Sequence, residues 1–294
     1  MEISWDQCGQ AGWEYLSNLA RAPMQQRWEY GAVHAALGGQ VKRAVVWENG
    51  RPVALCQCLI RRLKGILHLS LATNGPLWLA PCNHTRVIGA IRRSLPVRRL
   101  RVNLFTLPET VKSARLISLM TPATHAIRPL PVTPEMLHGK WRNALRRVQS
   151  SGLHSRHFTC SPAALAQLLE TDANQQVAKS YRALPADFTL KWHALAAEDL
   201  RLITVGNDHE TLASALFIRH GNTATYHIAH TSEHGRKTSA QRLVLWRAFQ
   251  DFGNQGITQI DLGKIDTEFS PGLARFKLGT GANTLHIGPT VLAI

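Results

Sequence analysis

Apolar runs near the start of the chain predict a β-hairpin between helices. Residues 41–47 and 52–60 are rich in aliphatic side chains, and Asn49-Gly50 lies between them. Asn-Gly between two apolar runs is a strong hairpin signal, because these residues tolerate positive φ angles. The same patterns predict further elements: helices over 13–19, 28–37, 86–94 and 109–120, and strands over 66–72 and 98–105.

The second half of the chain repeats this plan. Apolar runs over 200–205 and 211–220 flank the turn 206–209, and 223–229 alternates as a third strand would. Around them we predict helices over 165–180 and 239–252, a loop over 233–237 and a strand over 257–262. Two similar halves with mixed sheets, an α/β fold, are therefore predicted.

A proline-rich segment, Arg128–Pro134, is the best candidate for a linker between the halves. Proline restricts its own backbone and that of the residue before it, so we expect an extended, stiff crossing. The predicted domains are residues 1–134 and 135–294. A length of 294 residues suits two domains of about 150 residues each.

Composition indicates an ordinary globular protein. Hydrophobic residues make up 45% and charged residues 18% of the chain, which makes extensive disorder unexpected. We see no apolar run long enough to span a bilayer and no secretory pattern in residues 1–12. The five cysteines have scattered spacings, as expected of reduced thiols. We therefore expect a cytoplasmic protein.

Positive charge is concentrated in the middle of the chain. The formal net charge is +15, and residues 86–156 hold 14 Lys or Arg against the two acids Glu109 and Glu135. Such a field attracts phosphates of tRNA, CoA, nucleotide-linked acceptors or anionic lipid. The alternative is a solvated basic face without a specific partner.

The clearest basic helix lies over 140–153. Trp141, Leu145 and Val148 fall on one face at helical spacing. Arginines occupy other positions of this helix, and the predicted phosphate-binding residues are Arg142, Arg146 and Arg147. The alternative is a cationic helix that packs one face and leaves the other in water.

Residues 234–240 lie after a strand and before a helix, where backbone N–H groups can form an anion site. Arg236, Lys237, Thr238 and Ser239 are the predicted donor-binding residues. The alternative is a plain turn in which Thr238 or Ser239 caps the helix.

Lys277 lies between the aromatic Phe276 and Gly279, soon after the strand-like run that ends at Asp261-Leu262-Gly263. A lysine here could point into a cleft or be an ordinary surface cation. Asp261 could accept the proton of an amine nucleophile, or cap a turn. Tyr226 is a third candidate for catalysis, and it points away from His227 if the segment is a strand.

Several chemistries lose support because their motifs are missing. The sequence has no P-loop, no Gly-x-Gly-x-x-Gly after a strand, no His-Glu-x-x-His and no Cys-x-x-Cys. We therefore expect no metal site, no nucleotide hydrolysis and no dinucleotide redox chemistry.

The chain resembles the FemABX-like branch of the GNAT acyltransferase superfamily, close to the BioF2-like acetyltransferase domain. The marks that carry the resemblance are Asn74-Gly75-Pro76-Leu77-Trp78, the helix that begins at Trp141, the strands before Tyr226, the 236–246 segment, Asp261-Leu262-Gly263 and Phe276-Lys277-x-Gly279. The resemblance implies two tandem GNAT-like halves with a cleft between them.

The resemblance also implies an activity. Members transfer an aminoacyl group from aminoacyl-tRNA, or an acyl group from a thioester such as acyl-CoA, onto an amine. The acceptor here would be a cell-envelope precursor or an amino-acid-derived small molecule. The family's Phe-Lys motif assigns Lys277 to the donor or to the developing negative charge, which a lysine can stabilise. No bound cofactor is implied.

One departure bears on the donor. The CoA-binding loop of GNAT enzymes reads Arg/Gln-x-x-Gly-x-Gly/Ala, and this chain has Ser239 and Gln241 at the positions of the small residues. This departure and the basic middle segment favour aminoacyl-tRNA over acyl-CoA. A second hypothesis is a non-catalytic RNA- or tRNA-binding protein on a decayed GNAT fold. A third, weaker one is a peripheral protein on anionic membrane.

Overall fold

A computed structural model describes residues 1–64, 66–97 and 100–294. The chain forms two compact units, one of Met1–Thr124 with His286–Ile294 and one of His125–Leu285. The sequence division at Pro134 falls later than this one. The return of the last residues to the first unit has no sequence signal, because it depends on pairing between distant segments.

The first unit is a mixed sheet with helices. Its strands are β1 (Glu2–Trp5), β2 (Gln40–Glu48), β3 (Arg51–Leu63), β4 (Leu67–Ala72), β5 (Leu77–Trp78), β6 (Arg101–Thr106), β7 (Leu116–Met120) and β15 (Thr290–Ala293). Its α-helices are α1 (Gln10–Leu19), α2 (Trp28–Ala36) and α3 (His84–Ser94). The strand order is β1-β2-β3-β4-β6-β15-β7, and β5 pairs with β3.

The predicted hairpin is confirmed. Strands β2 and β3 pair antiparallel, with Glu48 opposite Arg51, and Asn49 and Gly50 have φ angles of 51° and 73°. These positive angles are the ones that a type I′ turn requires. The strand predicted over 98–105 corresponds to β6, Arg101–Thr106; Arg98 and Arg99 lie outside the described residues.

The helix predicted over 109–120 is wrong. Its last part is the edge strand β7, in which Leu116 pairs with Ala293 and Ile117 with Leu292 of β15. The apolar spacing of this segment also fits a helix, but local propensity is weak against tertiary pairing. The strand that decides the matter comes from the far end of the chain.

Two apolar clusters lie on the two faces of this sheet. On one face, α3 contributes Val87, Ile88 and Ile91, which are at most 1% exposed. On the other face, Trp13 of α1 is fully buried. Burial of such side chains stabilises each layer by about 1.5–3 kcal/mol per residue.

The second unit repeats this architecture. Its strands are β8 (Ala123–Pro129), β9 (His154–Thr159), β10 (Leu200–Gly206), β11 (Thr211–His220), β12 (Thr223–Thr231), β13 (Gln259–Lys264) and β14 (Asn283–Ile287). Its α-helices are α4 (Gly139–Gln149), α5 (Pro162–Ala178), α6 (Ala186–Leu195), α7 (Glu233–Thr238), α8 (Ala240–Asn254) and α9 (Pro271–Leu278). The strand order is β14-β8-β13-β12-β11-β10-β9.

The first part of the proposed linker is sheet rather than linker. Arg128 and Pro129 belong to β8, where Arg128 pairs with Ile260. The Arg128 side chain is 5% exposed, and its guanidinium donates to the carbonyl of Gly281. A buried, hydrogen-bonded arginine is incompatible with a free crossing.

The loop predicted over 233–237 is wrong, because these residues form the short helix α7. The Ser232 hydroxyl accepts from the N–H of Gly235 and caps the helix. A Cβ on Gly235 would lie 2.2 Å from the Leu212 carbonyl oxygen, so only glycine fits there. Lys237 and Glu233 pair at 2.8 Å across one helical turn. Capping and this pair are helix-stabilising features.

Candidate active site

Two parallel strands of the second unit separate partway along their length. Strands β12 and β13 pair over Thr223–Thr225 and Gln259–Asp261, and within the described residues their ladder ends there. Beyond this point β12 continues to Thr231 and β13 to Lys264. Their facing backbone groups no longer bond to each other. Such groups can bind an extended ligand segment, because unpaired N–H and C=O groups need partners.

Lys277 lies beside the end of β13. Its side chain is 7% exposed, and Nζ donates to the Lys264 carbonyl at 2.8 Å. Burial lowers the pKa of Lys277 to about 8, and the negative charge of Asp261 acts against that shift. Gly263 has a φ of 81°, and a Cβ there would lie 3.5 Å from Nζ. Lys277 is therefore a buried, positioned amine and not a surface cation.

Asp261 is the last residue of β13 that pairs with β12. Its carboxylate accepts from the Gly263 N–H at 2.7 Å, and His125 Nδ1 lies 3.1 Å from Oδ2. The two side chains are partly exposed, 26% for Asp261 and 20% for His125. The structure thus groups Lys277, Asp261 and His125. Sequence reasoning missed His125, which is 136 residues from Asp261 and belongs to no motif.

The Phe276-Lys277-x-Gly279 stretch is held by α4. The Trp141 indole N–H donates to the Phe276 carbonyl at 3.1 Å. A Cβ on Gly279 would lie 2.7 Å from the Trp141 ring, so glycine is required for this packing. The Arg242 guanidinium lies 5.9 Å and 5.7 Å from the Trp141 and Phe276 ring centroids. These contacts fix the helix that carries Lys277.

Tyr226 follows Thr225, the last residue of β12 that pairs with β13. Its hydroxyl accepts from Gln241 Nε2 at 2.9 Å, and Gln241 Oε1 accepts from Thr231 at 2.9 Å. Burial raises the pKa of Tyr226. This tyrosine is therefore a neutral hydroxyl in a buried network at physiological pH. Tyr226 lies on the side of helix α8, next to where the strands separate.

His227 lies on the opposite face, as the strand pattern predicts. Its Nε2 is 2.8 Å from the Thr189 hydroxyl of α6, and burial lowers its pKa to about 4. A pocket of about 360 Å³ lies between α5 and α6 on this side, lined in part by Leu169, Asp172 and Pro185. Asp172 is buried and accepts from Tyr181 at 3.0 Å.

The four predicted donor-binding residues are brought together at the end of α7, but their side chains serve local structure. Arg236 donates to the Thr231 carbonyl at 2.8 Å, and Lys237 pairs with an acid of its own helix. Thr238 donates to the His234 carbonyl at 3.0 Å. Ser239 has a φ of 64° and precedes α8 without a side-chain cap.

The predicted phosphate-binding arginines all lie on α4, with their apolar partners buried as predicted. The buried residues are Trp141, Ala144, Leu145 and Val148. Arg146 and Arg147 are exposed and Arg142 is half-buried. Burial lowers the pKa of Arg242 in α8, and the like charge of Arg147 lowers it further. Positive charges thus meet where α4 and α8 pack.

Within the described residues, no group of three or more His, Cys, Asp or Glu side chains is arranged to hold a metal ion. In the same part of the chain, no helix has the length and apolarity needed to cross a membrane.

Comparison with known proteins identifies the fold. Residues 138–280 match the family described as acetyltransferase (GNAT) domain. FemX is 12% identical with a TM-score of 0.77, over 100% of this chain and 97% of FemX. A tandem GNAT protein from the clavulanic acid biosynthesis pathway is 12% identical with a TM-score of 0.56, over 99% and 98% of the two chains.

The C-terminal domain of a putative lysylphosphatidylglycerol synthetase from Agrobacterium fabrum has the same fold. It is 13% identical with a TM-score of 0.55, over 97% of this chain and 93% of that domain. No curated protein sequence is significantly similar to this chain. The α/β fold with two tandem GNAT-like halves is confirmed.

Proposed function

We propose that this chain is an N-acyltransferase of the GNAT superfamily and that its donor is aminoacyl-tRNA; the GNAT family match and the similarity of its fold to that of FemX support the proposal. In this proposal the acceptor is an amine on a cell-envelope precursor or on an amino-acid-derived small molecule. The proposed catalytic residues are Lys277, Asp261 and Tyr226, and His125 is added to them.

The observation that carries the proposal is the burial of Lys277 beside the separating strands. When an amine attacks the donor carbonyl, negative charge develops on the carbonyl oxygen. With a pKa near 8, Lys277 is mostly protonated at pH 7 and can donate to that oxygen. A donor in a partly buried site stabilises the transition state more strongly than one in water.

Asp261 and His125 would handle the proton. The attacking amine loses a proton as its nitrogen bonds to the carbonyl carbon. The Asp261 carboxylate, in contact with His125, can accept it. Collapse of the intermediate breaks the ester bond, and the ribose oxygen of the tRNA leaves with the proton that Asp261 accepted from the amine. The neutral Tyr226 hydroxyl would orient the donor by hydrogen bonding.

The helix α8 terminus favours a tRNA ester over a CoA thioester. Gln241 occupies the position at which the CoA-binding loop of GNAT enzymes has glycine or alanine. Its side chain is hydrogen-bonded to Tyr226 and Thr231 in a buried network. Ser239 takes a left-handed conformation that glycine adopts more readily. A pyrophosphate needs close approach to backbone N–H groups, which side chains on the loop obstruct. Arg147 and Arg242 would contact tRNA phosphates.

The pocket between α5 and α6 is the proposed place for the acceptor. Its buried Asp172 carboxylate could bind an ammonium group, and Leu169, Val177 and Pro185 add apolar surface. Gln175 of α5 donates to the Ala229 carbonyl at 3.2 Å, which ties this pocket to β12.

The alternative is a non-catalytic RNA-binding protein on the same fold. Burial of Lys277 argues against it, because a desolvated ammonium destabilises a fold unless something else selects for it. A binding protein would have no use for an amine held away from solvent.

The test is a transfer assay with two donors. Purified protein is mixed with bulk aminoacyl-tRNA or acetyl-CoA and with free amino acids, polyamines or a lysine-containing peptide, and products are identified by mass. We expect transfer, or in the absence of a suitable acceptor slow deacylation, from aminoacyl-tRNA. Lys277→Met should lower the rate about 10²–10³-fold.

Lys264→Met is the matched control. Lys264 is on the same segment, its side chain is 64% exposed, and its carbonyl bond to Lys277 survives the substitution. It should retain the wild-type rate. Reaction with acetyl-CoA alone would overturn the donor assignment. Tight tRNA binding by folded protein without reaction of either donor would favour the RNA-binding alternative.

A further inference from the structure

An arginine-lined pocket lies in the first unit, on elements that take no part in the site above. It has a volume of about 340 Å³ between α3 and the strands β7 and β15. Its lining includes four arginines: Arg86, Arg92, Arg93 and Arg115. No acidic side chain lines it among the residues that the structure describes.

The charge of this pocket is weakly compensated. Glu48 approaches Arg86 at 3.8 Å, and both side chains are partly exposed, 31% and 63%. Such an exposed pair is worth at most about 1 kcal/mol. Arg93 lies over Gly89, where a Cβ would be 3.2 Å from its guanidinium. Several arginines around one concavity are suited to phosphate oxygens.

Strand β7, next to this pocket, has an exposed apolar edge. It is the last strand of its sheet. Ile117, Leu119 and Met120 are 46%, 53% and 65% exposed. Sheet edges are usually protected by charges or proline, and exposed apolar patches mark interaction sites. Leu116, the first residue of this strand, lines the arginine pocket itself.

We infer that this edge of the sheet, strand β7 together with the arginine pocket beside it, binds the surface of an anionic phospholipid membrane. Headgroup phosphates would enter the pocket of Arg86, Arg92, Arg93 and Arg115, and the β7 side chains would insert beside the acyl chains. A surface with cationic and aliphatic parts binds such membranes through electrostatic attraction to the headgroups and through burial of apolar side chains.

Other occupants fit less well. A second copy of the chain would bring the same arginines against each other at the β7 edge, and like charges disfavour that contact. RNA would use the arginines, but it offers aliphatic side chains nothing to bury them in. The combination of the arginine pocket and the exposed apolar side chains at one edge of the sheet favours lipid.

The test is co-sedimentation of the full chain with vesicles. The probes are phosphatidylcholine vesicles with and without 30% phosphatidylglycerol, a composition chosen as roughly that of an anionic leaflet. We expect binding only to the anionic vesicles. Arg93→Glu with Arg115→Glu should weaken it about 30-fold or more, on the basis of the usual contribution of each basic residue.

The control variant is Arg182→Glu with Lys191→Glu, which makes the same change in net charge at exposed residues of the second unit. It should bind nearly as the wild type does. Leu119→Ser with Met120→Ser should also weaken binding, with the salt dependence retained. Thermal melting of each variant establishes that it is folded.

Equal loss in the control variant would show that net charge alone attracts the protein, and would overturn the inference. So would tRNA binding that Arg93→Glu with Arg115→Glu abolishes while vesicle binding is absent. These outcomes are independent of the transfer assay, because none of these residues belongs to the proposed active site.

Discussion

The two units differ at the same place in their topology, the parallel strand pair joined by a helical crossover. In the first unit β4 and β6 pair over His68–Ala72 and Arg101–Phe105, nearly the full length of β4. In the second unit β12 and β13 pair over three residues each and then separate. One pair is closed and the other is open.

The elements that follow the parallel strand pair also differ between the two units. In the second unit, β13 is followed by α9, which carries Lys277 to the opening. In the first unit, β6 leads through residues 107–115 to the edge strand β7 with no described α-helix between them. The GNAT family match covers only residues 138–280, in the second unit. In our proposal the shared fold is a scaffold in the first unit and carries the chemistry in the second.

The largest expected effect on activity is that of Asp261→Asn, where β12 and β13 separate. The amide cannot accept a proton, so the transfer rate should fall about 10²–10⁴-fold. The negative charge also raises the pKa of Lys277. Its loss should move the alkaline decline of any residual activity below about pH 8, measured as kcat/KM against pH.

Asp266→Asn is the control, because Asp266 accepts two backbone N–H bonds in an exposed turn and an amide oxygen can keep them. It should leave both the rate and the pH profile as they are. An Asp261→Asn enzyme with wild-type activity would remove this carboxylate from the mechanism.

A second effect concerns stability at the same site. The unfolded chain keeps the Lys277 proton up to about pH 10.5, whereas the folded chain releases it near pH 8. Between these values the unfolded state binds more protons, so raising the pH favours folding. The free energy of unfolding of the wild type should rise by up to about 3 kcal/mol relative to Lys277→Met across this window.

The measurement is urea denaturation of both proteins at several pH values between 7.5 and 10.5. Taking the difference between them removes the titration of all other groups. Lys264→Met, with its exposed lysine, should show no such trend. A flat difference for Lys277→Met would mean that Lys277 is solvated in the folded protein.

Elements formed by residues close together in sequence could be predicted from local pattern. Alternation and the Asn49-Gly50 turn were enough to predict β2 and β3, since neighbouring segments form them. The spacing of Trp141, Leu145 and Val148 predicted the buried face of α4. These features depend on residues a few positions apart.

What the sequence could not reveal depends on distant partners. The sequence pattern of β7 alone fits a helix, and the segment is a strand because it pairs with β15. His125 and Asp261 come into contact only in the folded sheet. The separation of β12 from β13 likewise has no local signal, because each strand alone has an ordinary pattern. Lys277 could be singled out by its motif, but its burial could not.

A third, smaller effect, on stability alone, is expected in the first unit. Gln26 is fully buried, donates to the carbonyls of Gln57 and Thr73, and accepts from the Gln57 N–H at 2.7 Å. Gln26→Ala leaves these backbone groups without partners and should destabilise the fold by about 2 kcal/mol. The transfer rate per folded molecule should stay unchanged, because the first unit is a scaffold in our comparison.

Denaturation and the transfer assay on the same sample check this. Gln10→Ala, at an exposed glutamine of the same unit, should lose little stability. A fall in the rate of folded Gln26→Ala protein would contradict the division of roles between the units.

The smallest effect compares the first residues of two helices, one in each unit. Helix α3 of the first unit begins at Asn83, which has a negative φ and accepts from the Arg86 N–H. Helix α8 of the second unit begins after Ser239, which has a φ of 64° and no side-chain cap. Such strain is typical of functional sites. Ser239→Gly should therefore stabilise the fold by about 1 kcal/mol.

Asn83→Gly should have the opposite sign and cost a few tenths of a kcal/mol, because it removes a cap where glycine's freedom relieves nothing. Both values come from thermal or urea denaturation of single variants. Destabilisation by Ser239→Gly would mean that its left-handed backbone is well tolerated. The obstruction at the start of α8 would then rest on Gln241 alone, whose side chain stays bonded to Tyr226 in either variant.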